Sequence, residues 1–158
     1  MTENDNLNDF KIIQGICDYL ITRKTPPIYA RNYLLLSDNS KLRCEMFLNR
    51  ELKGIYKKHQ VVIYRDKNLN FLTAAEIFYL SAIFNSSIVQ RYFSATFMNT
   101  SFNFRHFSLF IPKYNSQHPE CLSLSQAINS TTVLTDALRR EFSDLYIKLC
   151  KSIHNKQS

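Results

Sequence analysis

Thr73 stands three residues ahead of Glu76, and behind that pair Ile77, Leu80, Phe84 and Ile88 recur at spacings of three, four and four. A Thr-x-x-Glu box satisfies the free N–H groups of a helix start, and the recurring apolar positions form one helical stripe. The stripe is interrupted by Asn85-Ser86-Ser87, in the middle of the run "YLSAIFNSSIVQRYF". Asn and Ser side chains offer oxygens to unpaired backbone N–H groups at helix ends. The spacing therefore predicts two helices meeting at a polar corner, with Asn85 as a structural hinge. Ser81, Asn85 and Gln90 lie off the stripe, and Ser87 and Arg91 extend a polar flank.

Around this helical pair the chain reads as α+β: a small mixed sheet, the pair itself and a long C-terminal amphipathic helix. Residues 1–10 are a polar lead, 11–118 one domain and 119–158 the closing helix. "HQVVIYRD" at 59–66 is β-branched and aromatic, the clearest strand in the chain. Residues 10–21 mix apolar clusters around Gly15, so helix and strand are not separable there. After a turn at Pro26-Pro27 an extended run leads to Leu36, and Asp38-Asn39-Ser40 reads as a turn. Residues 43–57 carry Met46/Phe47, Arg50/Glu51 and Lys53/Lys57 at helix-like spacing, with Gly54 against it. Ser108–Ile111 is strand-like and ends at Pro112. From Ser123 or Ser125 onward, Leu134, Leu138, Phe142, Leu145, Leu149 and Ile153 repeat as a long helical stripe, with Arg139, Arg140, Asp144, Lys148 and Lys151 exposed.

Charge is unevenly spread. Between Arg23 and Lys67 lie eleven Lys/Arg against four Asp/Glu, an excess equal to the +7 of all 158 residues. Such a block favours a polyanionic partner. Two glycines, Gly15 and Gly54, are too few for a phosphate-cradling loop or a dinucleotide fingerprint, so no cofactor is expected. Cys17, Cys44, Cys121 and Cys150 are unpaired in spacing and read as reduced thiols. His118 and Cys121 form an HxxC without a second half, so no metal site is expected. Three N-x-[ST] triplets, at Asn85, Asn99 and Asn129, have no secretory signal ahead of them: the amino terminus is acidic and polar. No apolar run approaches the roughly 20 residues that span a bilayer. The expected setting is the cytoplasm, without a membrane partner.

The order "FYLSAIFNSSIVQRYFSATF" followed by "RHFSLFIPKYN" resembles the carboxy-terminal part of the target-recognition region of adenine-N6 DNA methyltransferases. It is similar also to specificity modules of type I restriction systems. The matching positions are Leu80, Ala82, Ile83, Phe84, Asn85 and Ser86, then Phe107, Leu109, Ile111 and Pro112, with Phe84 where the pattern has Leu. The resemblance covers about residues 59–135. It implies a DNA-specificity module of a methyltransferase or restriction–modification system, binding double-stranded DNA beside a separate methyltransferase polypeptide. The family's catalytic Asn/Asp-Pro-Pro-aromatic tetrapeptide is missing. The nearest string, Thr25-Pro26-Pro27-Ile28, has Thr for the acidic or amide residue and Ile for the aromatic. No methyl transfer, and no catalytic residue, is expected of this chain.

The expected DNA contacts are basic. Lys57, Lys58, Arg65 and Lys67 flank the clearest strand, and Arg91, Arg105, His106 and Lys113 surround the helix–loop–strand passage. Lysine and arginine neutralise phosphates and release counterions, whereas base edges need directed contacts such as the bidentate bond of Arg to guanine. Arg105, in the loop "SFNFRHF", is the preferred base reader. The competing reading is a small adaptor whose C-terminal stripe pairs with a partner helix. No Ser-His-Asp or carboxylate pair stands out for a hydrolase.

Overall fold

The computed structural model describes residues 10–27, 29–37, 41–49, 60–97, 108–129 and 131–157. Strands β1 (Tyr19–Thr22), β2 (Tyr33–Ser37), β3 (Arg43–Phe47) and β4 (Gln60–Asp66) precede four helices. These are α1 (Ala74–Asn85), α2 (Ser87–Phe97), α3 (Pro119–Gln126) and α4 (Asp136–Gln157), and one helical turn at 10–13 leads into β1. The fold is α+β. The sheet runs β1-β4-β2-β3, and each of its pairings is antiparallel. Among the described residues, the mixed character expected from sequence reduces to one isolated parallel bridge, Cys17 to Ile111.

The capping box forms as its spacing predicts. The Glu76 N–H donates to Thr73 Oγ1 at 3.2 Å, and the Thr73 N–H donates to Glu76 Oε1 at 3.2 Å. Helix α1 then runs through the middle of the molecule. One side packs on β2 and β3, the other on α3 and α4. Ile77, Tyr79, Leu80, Ala82, Ile83 and Phe84 are all fully buried. Ser81 and Asn85, placed off the stripe in the sequence, are buried as well, so α1 has no solvent-facing flank at these positions. A helix buried all round no longer obeys the one-face rule that a stripe implies.

Residues 43–47 form a strand, not the start of a helix. Five consecutive pairs join β3 to β2, from Tyr33–Phe47 to Ser37–Arg43. Exposed Arg43 and Glu45 alternate with half-buried Cys44 and Met46. This period of two is hidden by the adjacent apolar pair Met46-Phe47, which mimics a helical cluster; cross-strand packing overrides local propensity here. Residues 50–57 and the turn at 38–40 lie outside the described residues.

The closing helix also begins later than expected. Pro119 opens the short helix α3, and α4 starts only at Asp136, where Thr135 Oγ1 accepts from the Leu138 N–H at 3.1 Å. The stripe residues Phe142 and Leu149, with Tyr146 and Cys150 beside them, are buried in the chain's own core. Arg139, expected on the surface, is half-buried.

The segment at 108–112 is extended but is not a strand of the sheet. Its backbone pairs with the turn before β1: Phe110 N to Ile13 O, Ile111 N to Ile16 O and Asp18 N to Ile111 O. On the other side three tyrosine hydroxyls donate to alternate carbonyls. Tyr92 reaches Ser108 at 3.1 Å, Tyr146 reaches Phe110, and Tyr79 reaches Pro112 at 2.7 Å. Successive carbonyls of an extended chain point opposite ways, so the carbonyls of Ser108, Phe110 and Pro112 are served by tyrosines while that of Ile111 is served by main chain. Gly15 allows the close approach: at φ 155° a Cβ there would meet Phe110 Cβ at 3.0 Å.

Candidate nucleic-acid interface

Of the eight expected DNA contacts, Lys57, Lys58, Arg105 and His106 lie outside the described residues. Arg65, Lys67, Arg91 and Lys113 fall in three different settings. Arg91 sits half-buried in α2.

Lys67 and Lys113 belong to a charge cluster that joins the end of β4, the start of α1 and the residue after Pro112. Lys113 Nζ lies 2.8 Å from Asp66 Oδ2 and 2.5 Å from Glu76 Oε2, and both carboxylates are almost fully buried. Tyr19 Oη donates to Glu76 Oε2 at 2.7 Å and accepts from the Tyr114 N–H at 2.9 Å. Asp18 accepts from Lys67 Nζ at 2.7 Å and from the Lys113 N–H at 2.9 Å. Three carboxylates thus face two ammonium groups. A buried carboxylate without a cation is costly, so Lys113 is held by the fold rather than offered to a phosphate, and Lys67 is shared with Asp18.

Asp66 is the pivot of this cluster. Burial alone would raise its pKa, but bonds from Lys113, Asn70 and Asn68 outweigh it and hold the carboxyl at about 2. Asp66 Oδ1 accepts from the N–H groups of Asn68 and Asn70 at 2.8 and 3.0 Å. That fixes the turn after β4, in which Leu69 adopts φ 69°. The Lys113 ammonium is stabilised in turn: desolvation would lower its pKa, but Asp66 and Glu76 raise it.

Arg65 faces the opposite side of the sheet. Leu34, Leu36, Val61 and Ile63 point into the core, so their neighbours Leu35 and Val62, which pair with one another, mark the outer face. The register between β1 and β4 slips: Leu20 pairs with Arg65 and Thr22 with Val62, two steps on one strand against three on the other. A bulge of this kind turns two successive side chains the same way, and it brings Tyr64 and Arg65 together on the outer face. The Arg65 guanidinium carbon lies 4.5 Å from the Phe71 ring centre and 5.6 Å from that of Tyr64. Tyr29 packs edge-on against Phe71 at 5.4 Å. Arg65 Nε has no hydrogen-bond partner.

This part of the sheet is open. Tyr29 is 64% exposed, Leu69 59%, Phe71 41% and Leu20 40%, four of the seven exposed large hydrophobics among the described residues. At the far end of the same face Tyr33 stacks on Phe47 and is buried, and Val62, paired with Thr22, is buried nearer the open part. Leu20, Thr22, Lys24, Tyr64, Arg65 and Leu69 line a shallow hollow of about 230 Å³. Sequence reading found Arg65 but not Lys24, Tyr29 or Phe71. The one local signal was an aromatic–cation pair, Tyr64-Arg65, inside the clearest strand.

A serine, a histidine and a carboxylate also meet elsewhere. His118 Nε2 lies 3.1 Å from Ser152 Oγ, and Nδ1 lies 3.1 Å from Glu120 Oε2. The Nδ1 contact lacks hydrogen-bond alignment, so the carboxylate does not set the imidazole tautomer as nucleophilic catalysis requires. The group ties the start of α3 to α4. Among the described residues no cluster of three or more His, Cys, Asp or Glu suits a metal, and no helix is long and apolar enough to cross a membrane. Comparison with models of protein families, with curated proteins and with solved structures gives no match.

Proposed function

We propose that this chain is a DNA-binding module, acting in the cytoplasm, that reads duplex DNA for a methyltransferase or restriction–modification enzyme carried on a separate polypeptide. It has no methyl-transfer site of its own in this reading. The observation that carries it is Arg65, a cation of the basic block laid over the exposed ring of Phe71 and the half-buried ring of Tyr64 on an open sheet face, with Lys24 beside it. Cation and ring together suit a polyanion with flat bases. Two further features support it. The helix pair breaks at Asn85-Ser86, and Pro112 is pinned behind α1 by Tyr79, the order that the resemblance to target-recognition regions leads one to expect. The adaptor reading has less support, because the stripe of α4 is already packed into the core.

The proposed contact set shifts accordingly. Lys24 joins Arg65 in the set, Lys67 and Lys113 give way because they are paired with carboxylates, and Lys57 and Lys58 adjoin β4 in sequence. The test is fluorescence anisotropy with duplex oligonucleotides between about 50 and 200 mM salt. Affinity should fall steeply with salt, and Arg65→Glu or Lys24→Glu should reduce the slope by about one for each phosphate contact removed. Failure to bind any duplex at low salt would sink the proposal.

A further inference from the structure

From the outer face of β1 and β4 we infer that the hollow beside Arg65 seats an unpaired nucleobase, so that the module prefers DNA with a base out of the stack over a perfect duplex. This rests on the reading above and deepens it.

A paired, stacked base presents only its edge in a groove, and edges are read by hydrogen-bonding groups. The hollow presents a different chemistry. Its walls are Leu20, Thr22, Tyr64 and Leu69, its cations are Lys24 and Arg65, and Phe71 lies across the guanidinium. Ring faces and a guanidinium plane recognise the flat face of a base, which is available only when the base has left the stack. The neighbouring backbone phosphate would then fall to Lys24, exposed at the rim. The opposite charge of that phosphate is what selects nucleic acid over an apolar peptide for this face, since two cations, Lys24 and Arg65, and no carboxylate line the hollow.

The floor of the hollow is built in advance. Two devices set it: the bulge that turns Tyr64 and Arg65 together, and the turn through Leu69 that buried Asp66 clamps with two backbone bonds. The charge cluster on the inner side thus positions the aromatic face on the outer side. Preorganisation of this kind lowers the ordering cost of binding.

The experiment compares three oligonucleotides of one sequence: a perfect duplex, the same duplex with a single bulged 2-aminopurine, and the single strand. Wild-type protein should bind the bulged duplex more tightly than the perfect one and quench the 2-aminopurine fluorescence. Phe71→Leu and Tyr64→Leu keep apolar volume but remove a ring. Each should cost about tenfold or more in affinity for the bulged duplex and distinctly less for the perfect duplex, with thermal melts to check that both variants fold. Equal affinity for bulged and perfect duplex, or equal losses on both from the ring variants, overturns this inference while leaving duplex binding intact. Binding of none of the three overturns both.

Discussion

The Arg139 guanidinium donates to the carbonyl oxygen of Asn85 at 3.1 Å, bringing a cation of α4 to the last residue of α1. A helix C-terminus carries partial negative charge and unpaired carbonyls, so Arg139 caps α1 from outside. Asn85 closes the same corner from within: its Nδ2 donates to Ser81 O at 2.9 Å. Ser86 serves both helices, donating to Ile83 O and accepting from the Val89 N–H. Asn85→Leu removes the Nδ2 bonds to Ser81 and the Arg139 contact with Asn85 Oδ1, and leaves Arg139 on the main-chain carbonyl; the expected cost is about 1–3 kcal/mol. Arg139→Met should cost about 1–2 kcal/mol. Urea unfolding measures both, and the sequence preference of the folded Asn85→Leu protein should stay that of wild type.

Lys113→Met leaves Asp66 and Glu76 buried without their shared cation. Because the ammonium is partly in water, about 2 kcal/mol is expected rather than the full 3–5 of a buried pair. The urea midpoint should fall while the salt slope of DNA binding stays unchanged. A slope smaller by about one with stability intact would instead make Lys113 a phosphate contact.

Asp66 predicts an acid limb in stability. Its folded pKa of about 2 lies below the ordinary carboxyl value of 3.8. Its contribution is therefore complete above about pH 4 and is lost as pH falls toward 2. After allowance for solvent screening the effect is of order 1 kcal/mol. Asp66→Asn should be less stable at pH 5 and should show a shallower decline between about pH 4 and 2 in urea titrations.

The thiols are expected to be inert. Burial pushes Cys17 up to about 11 and Cys44 and Cys150 up to about 12, and it raises Cys121 as well. The thiolate is the reactive form, so native protein at neutral pH should react slowly with a disulfide reagent. All four thiols should react promptly in denaturant. A single fast thiol in the native state would contradict this packing.

What could be read in advance was local. The Thr73–Glu76 box, the break at Asn85-Ser86 and β4 each follow from residues within a few positions of one another. The strand at 43–47 was not legible, because its period is set by pairing to β2 and is masked by Met46-Phe47. Nor was the role of the tyrosines along 108–112, since Tyr79, Tyr92 and Tyr146 come from three helices. The site divided in the same way. Arg65, Lys67 and Lys113 look alike as basic residues, yet register and burial place one on an aromatic face and the other two against carboxylates.

The most direct test of the Arg65 face is a two-dimensional NMR titration of the labelled protein with the duplex and with its bulged form. Shift changes concentrated at Thr22, Lys24, Tyr64, Arg65, Leu69 and Phe71, with Asp18, Glu76 and Lys113 little affected, are the expected result. Changes confined to α4, or none on the outer face of β1 and β4, would contradict it.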